Sequence, residues 1–137
     1  MENFTLKIVD HIAIIKVELV SATLRDSQAL WDMMDIDSIF EKQKIIIDLS
    51  GCGFIDSTFI GMIVKIFRGI NENDGNLKLV FPQITDLESF RVIGITKILE
   101  CFGTLANAIE SYNPDSSVSK IDFDEKNLSH SISARLN

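Results

Sequence analysis

The side chains that could do chemistry in this sequence gather around Asp56, Ser57 and Thr58, just after a turn of small residues, Ser50-Gly51-Cys52-Gly53. Residues of these three types satisfy orphan N–H groups where a helix starts. A serine in such a first turn keeps its hydroxyl in water, beside the positive end of the helix dipole. The chemistry this allows is modification. Phosphorylation at Ser57 adds about −1.5 to −2 charges and three acceptor oxygens, and a helix start tolerates them without unfolding. Other chemistries find less support. Gly51-x-Gly53 supplies two glycines of a dinucleotide loop, but Asp56 sits at the third glycine position, where its carboxylate would repel a pyrophosphate. No P-loop lysine follows. Ser57 lies in no G-x-S-x-G elbow, and no histidine is placed to activate it. His11 and His130 are the only histidines, and neither H-E-x-x-H nor a paired C-x-x-C occurs. No enzyme activity, cofactor or metal site is therefore expected. Asp48, at a strand end, lacks the acidic pair of a phospho-accepting aspartate and reads as a brace for the loop after it.

The elements that must position these residues can be read from periodicity. Ile45-Ile46-Ile47 is a short β-branched run, as in a strand buried on both faces. Phe54-Ile55 turns back towards the core. Phe59, Ile60, Ile63, Ile66, Phe67 and Ile70 then recur at helical spacing and form one buried stripe. Thr58, Gly61, Met62 and Lys65 fall on the other side of that helix. Gly61 would allow close approach there, and Met62 offers an adaptable apolar contact.

Upstream, Phe4–Leu19 reads as two strands joined by a tight hairpin at Asp10-His11, and Val20–Thr23 leads into a helix from Leu24 to about Phe40. Downstream, Gly75 is placed to take a left-handed backbone before the strand Leu77–Phe81, which Pro82 stops. Thr85 and Glu88 fit a capping box on a short helix that Gly94 ends. Ile98–Phe102 reads as a last core strand, and Thr104 caps a helix with Leu105, Ala108, Ile109 and Tyr112 on one face. Strands alternating with helices imply an α/β fold: a mixed sheet with an antiparallel hairpin edge, then parallel βαβ units, and about four helices. One domain over residues 1–113 is expected, then a polar, serine-rich tail over 114–137, either a loose arm or a docked extra element.

The 137 residues carry a net charge of −7, which disfavours nucleic acid and anionic membrane surfaces as partners. No apolar run approaches the roughly 20 residues of a membrane span. The first residues lack the layout of a signal peptide, and two cysteines, Cys52 and Cys101, make no disulfide framework. A cytoplasmic protein is the expectation.

The segment IIIDLSGCGFIDSTFIGMIV is similar to the signature of the STAS family, the bacterial anti-sigma-factor antagonists and their relatives. Its elements fall on Asp48, Leu49, Ser50, Phe54, Ile55, Asp56, Ser57, Thr58 and Gly61. Gly75, Phe90, Gly94-Ile95, Lys97-Ile98 and Phe102 continue the match, so the resemblance runs to about Tyr112. Two positions depart from the pattern. Val20 stands where an acidic residue is usual, and Phe59 replaces a glycine, which would make the surface beside Ser57 bulkier.

The resemblance implies a mixed sheet packed with helices and a phosphorylatable serine at Ser57. It also implies an anti-sigma factor that is a serine kinase as partner, and a serine phosphatase that restores the unmodified form. Asp56, Ser57, Thr58, Gly61, Met62 and Lys65 are the expected docking residues, and self-association into a homo-oligomer is left open. Two other readings stand beside this one. The first is a STAS scaffold in a stress-signalling or transport complex, without reversible phosphorylation. The second is a small nucleotide-binding domain using the Ser50–Gly53 loop.

Overall fold

The computed structural model describes residues 3–82 and 94–121. The chain opens with the expected hairpin, β1 (Phe4–Val9) and β2 (Ile12–Val17), paired antiparallel from Phe4↔Val17 to Val9↔Ile12. Asp10 and His11 both take positive φ, 50° and 67°, as a two-residue type I′ turn requires. A two-residue strand, β3 (Ser21–Ala22), precedes α1 (Leu24–Ile36). A 3₁₀ turn over Ile39–Glu41 leads to β4 (Lys44–Asp48), and β5 (Phe54–Ile55) then enters α2 (Ser57–Glu72). β6 (Asn76–Val80), a 3₁₀ turn over Ile95–Lys97, β7 (Glu100–Phe102) and α3 (Leu105–Glu110) complete the order.

Five strands form one sheet in the order β1-β2-β4-β6-β7, antiparallel only at β1–β2. β3 and β5 make a separate parallel ribbon. The strand period of two divides the apolar residues between two cores. Ala13, Ile15, Val17, Ile45, Ile47, Leu77 and Leu79 meet Leu30 and Met34 of α1 and Phe59, Ile60, Ile63, Ile66 and Ile70 of α2. Ile12, Ile14, Ile46, Val80 and Phe102 face the other way, under Leu105, Ala108, Ile109 and Tyr112. The Ile45–Ile47 run is thus buried on both faces, each such side chain contributing about 1.5–3 kcal/mol.

Several expectations shift in detail. α1 stops at Ile36 rather than Phe40, because Ser38 adopts a left-handed backbone and tips the chain into the 3₁₀ turn. The left-handed residue before β6 is Asp74, φ 63°, and not Gly75. Gly75 is required for a different reason: a Cβ there would lie 2.7 Å from the Lys42 carbonyl oxygen and 2.8 Å from Ile70 Cγ2. The last strand begins at Glu100, with Ile98 left at the surface. The described residues hold three α-helices; the one expected after Thr85 lies outside them. Beyond Pro114, Val118 packs on the second core, and the Ile121 N–H donates to the Cys101 carbonyl at 2.7 Å, capping the β7 edge of the sheet.

A candidate docking site at the start of helix α2

The loop from β4 to α2 is held by its backbone N–H groups, which donate to Asp48, Leu49 and Val20. Asp48 is buried, and its Oδ1 accepts from the Ser50 N–H at 2.9 Å, the brace expected of it. Cys52 N–H donates to the Leu49 carbonyl at 3.0 Å, and the Gly53 and Phe54 N–H groups both donate to the Val20 carbonyl, at 2.8 and 3.0 Å. With these four donors committed, the loop offers no nest of free N–H groups for a phosphate chain. Cys52 supplies no nucleophile either. Burial pushes its thiol up to about 11, and Sγ points to the Val17 carbonyl at 3.8 Å.

Val20 continues into β3, which pairs with β5 through Ser21↔Phe54 and Ala22↔Ile55. Alternation then sends Ala22 and Ile55 inward and leaves Phe54 outside, 57 % exposed, although Phe54-Ile55 was expected to turn inward as a pair. This ribbon was invisible in the sequence, since two residues are too few to show a period.

The ribbon delivers two helix starts to one side chain. Asp56 is the N-cap of α2, its Oδ1 accepting from the Phe59 N–H at 2.8 Å. Its Oδ2 accepts from the Leu24 N–H, the first residue of α1, at 3.1 Å. α1 has a second clasp of its own, Thr23 N–H to Asp26 Oδ2 at 3.0 Å.

Around this junction the expected residues fall as follows. Ser57 and Thr58 are exposed on the first turn of α2, and among the described residues their N–H groups have no partner, as helix starts require. Gly61 is exposed one turn on, with nothing within 4 Å of where a Cβ would stand. Met62 is half-buried and leans on the main core, so only part of it faces out. Lys65 is exposed and holds its Nζ 4.6 Å from the Trp31 ring centroid, a cation–π contact joining α2 to α1. Phe59 is fully buried, so its bulk adds to the core rather than to the surface beside Ser57. The sequence reading missed the apolar neighbours: Val20 and Leu24, 81 % and 67 % exposed, lie with Phe54 beside Asp56. Val20 stood out in the sequence only as a departure from an acidic position, not as a member of the docking surface.

Comparison with known proteins now decides the family: residues 5–108 match the STAS domain. The chain belongs to the STAS domain family. No curated protein sequence matches it. Among solved structures, it is similar to a Thermotoga maritima candidate anti-sigma factor antagonist, at 24 % identity and a TM-score of 0.69, covering 79 % of this chain and 92 % of that one. An anti-sigma factor antagonist from Mycobacterium paratuberculosis gives 16 % identity, coverage of 79 % and 91 %, and a TM-score of 0.66. The Bacillus cell fate determinant SpoIIAA in its phosphorylated form gives 19 %, 80 % and 99 %, and 0.61. The STAS fold of this chain is therefore the fold of anti-sigma factor antagonists. Among the described residues, no helix is long and apolar enough to cross a membrane.

Proposed function

We propose that this STAS protein is a non-enzymatic, cytoplasmic anti-sigma factor antagonist, which docks on a serine-kinase anti-sigma factor and is switched off by phosphorylation of Ser57. The observation that carries the reading is an exposed serine on the first turn of α2, next to an exposed apolar rim of Val20, Leu24 and Phe54. Docking buries that rim together with Ser57, Thr58 and Gly61. A phosphate on Ser57 would then bring about two negative charges into the interface next to Asp56. An unpaired charge taken out of water costs several kcal/mol, and each 1.4 kcal/mol weakens binding about tenfold.

The fold need not change for this to work. SpoIIAA matches this chain almost equally well in its unphosphorylated and phosphorylated forms, with TM-scores of 0.62 and 0.61. A serine phosphatase would return the protein to its docking state. The committed N–H groups of the Ser50–Gly53 loop weigh against the nucleotide-binding alternative.

Titration calorimetry with a serine-kinase anti-sigma factor tests the switch. Ser57→Ala should bind within about twofold of wild type, and Ser57→Asp at least about tenfold more weakly. Equal affinities for wild type and Ser57→Asp would return the protein to a scaffold role without reversible phosphorylation.

A further inference from the structure

We propose that strand β1 is a self-association edge, on which a second copy of this chain pairs antiparallel about a two-fold axis through Leu6, merging two five-stranded sheets into one. The two edges of the sheet are treated differently. At β7 the chain covers its own edge, through the Ile121–Cys101 bridge. At the other end β1 runs for six residues in unbroken register with β2, with neither a bulge nor a proline, and among the described residues nothing pairs with its outer side. Edges left in this state are templates for another strand.

Backbone direction and side-chain direction coincide along this strand. In a two-residue hairpin the flanking pair, Val9 and Ile12, exchanges the closing hydrogen bonds, so odd-numbered residues of β1 point their N–H and C=O groups at β2. The Glu18 N–H donating to the Asn3 carbonyl at 2.7 Å fits that parity. Phe4, Leu6 and Ile8 therefore direct their backbone groups outward. Their side chains share the face of Val17, Ile15 and Ala13, their register partners in the main core. Leu6 and Ile8 are 37 % and 54 % exposed, so the apolar layer continues to the edge and ends in water.

A second copy of this chain fits that edge because the strand is complementary to itself. With Leu6 opposite Leu6 of the other copy, Phe4 faces Ile8 on the apolar side and Thr5 faces Lys7 on the polar side. The three outward residues of each strand then exchange about six hydrogen bonds. Sliding the register by two residues would set Lys7 against Lys7 across the axis and lose about two of those bonds, an arrangement that like-charge repulsion disfavours. The contact is small, so the dimer is weak and concentration-dependent. The two-fold axis turns the Ser57 sites to opposite ends of the merged sheet, leaving both free to dock. The inference is independent of what Ser57 does.

Sedimentation equilibrium of the full chain, from about 10 μM to 1 mM, should show a monomer–dimer equilibrium that Leu6→Lys and Ile8→Lys abolish without altering circular dichroism. Register is read separately by mild oxidation. Directly opposed, hydrogen-bonded positions are about 5.5 Å apart at Cα, within disulfide reach. Leu6→Cys should cross-link to itself, Ile8→Cys alone should not, and an equal mixture of Phe4→Cys and Ile8→Cys should. A chain that stays monomeric throughout, a dimer indifferent to both lysine substitutions, or cross-linking of Ile8→Cys as efficient as that of Leu6→Cys would overturn the proposal.

Discussion

The carboxylate of Asp56 accepts a hydrogen bond from the Leu24 N–H at 3.1 Å, across 32 residues of sequence, while its other oxygen caps α2 through Phe59. One side chain thus fixes the relative position of two helix starts. The exposed apolar residues on either side of it, Leu24 and Phe54, owe their juxtaposition to that link and to the β3–β5 ribbon.

Removing the link should be felt in stability before it is felt in chemistry. Asp56→Ala forfeits an N-cap, typically worth about 0.5–2 kcal/mol, and strands the Leu24 N–H, for a total of about 1–3 kcal/mol. Asp56→Asn keeps a carbonyl oxygen for one of the two donors and should fall between. Urea unfolding monitored by circular dichroism measures both. An Asp56→Ala midpoint equal to wild type would show that the two caps are not coupled to folding.

Two glycines should respond in opposite directions to alanine. Gly61→Ala meets no neighbour and should stabilise the helix by about 0.5–1 kcal/mol, while lowering partner affinity by filling the open surface near Ser57. Gly75→Ala drives a Cβ onto the Lys42 carbonyl and Ile70, and should cost about 1–3 kcal/mol. Thermal unfolding of the pair, with a titration for Gly61→Ala, is the check.

The hairpin tip at Asp10-His11, the double-faced Ile45–Ile47 strand and the stripe of α2 were legible in the sequence because each carries a full period of its own. The Thr104 cap was legible too, its hydroxyl accepting from the Asn107 N–H at 3.1 Å. What stayed hidden depends on partners distant in sequence. Lys78 reads as the polar member of an alternating strand, yet it is buried, its Nζ 2.8 Å from Ser111 Oγ and 4.2 Å from the Tyr112 ring centroid. The docking of α3 and the neighbouring β7, whose Glu100 Oε1 lies 3.5 Å from Nζ, put it there. The contact of Trp31 in α1 with Lys65 of α2 is likewise set by the docking of the two helices, and no spacing within α1 announces it.

That second face predicts a stability cost at Tyr112. Its hydroxyl lies 2.8 Å from the carbonyl oxygens of both Ile45 and Asn76, donating to one at a time, and accepts from the Ile45 N–H at 3.2 Å. Tyr112→Phe leaves these central-strand groups short of a partner and should cost about 1–3 kcal/mol by chemical denaturation. A neutral result would show that the Tyr112 hydroxyl adds nothing to the apolar face of α3 and the Lys78–Ser111 contact.

Alkali should unfold the protein through its buried weak acids. Burial raises the Cys52 thiol to about 11, and burial likewise raises Cys101 and Tyr112. A pKa raised by folding means the neutral form is favoured in the native state. Its contribution is full below the unfolded value, about 8.5 for cysteine and about 10 for tyrosine, and is lost as pH rises above it. Stability should hold from neutrality to about pH 8.5 and then fall, with Cys52→Ala flatter between about 8.5 and 11. Urea midpoints across that range test the sign; a midpoint that rises with pH would contradict it.

The apolar rim makes a claim about the interface alone. Phe54→Ala, at an exposed position on a two-residue strand, should leave folding within about 0.5 kcal/mol while weakening partner binding about tenfold or more. Val20→Asp should weaken it too, by placing a charge in an apolar contact. Calorimetry beside urea unfolding separates the two effects, and a Phe54→Ala protein that binds as wild type would remove the rim from the docking surface.

The reading of Ser57 is tested most directly by locating phosphate after incubation with a serine-kinase anti-sigma factor and ATP. Tandem mass spectrometry should place one phosphate on Ser57, and Ser57→Ala should carry none while remaining folded. Phosphate found elsewhere in the chain, or incorporated by Ser57→Ala as fully as by wild type, would contradict the switch.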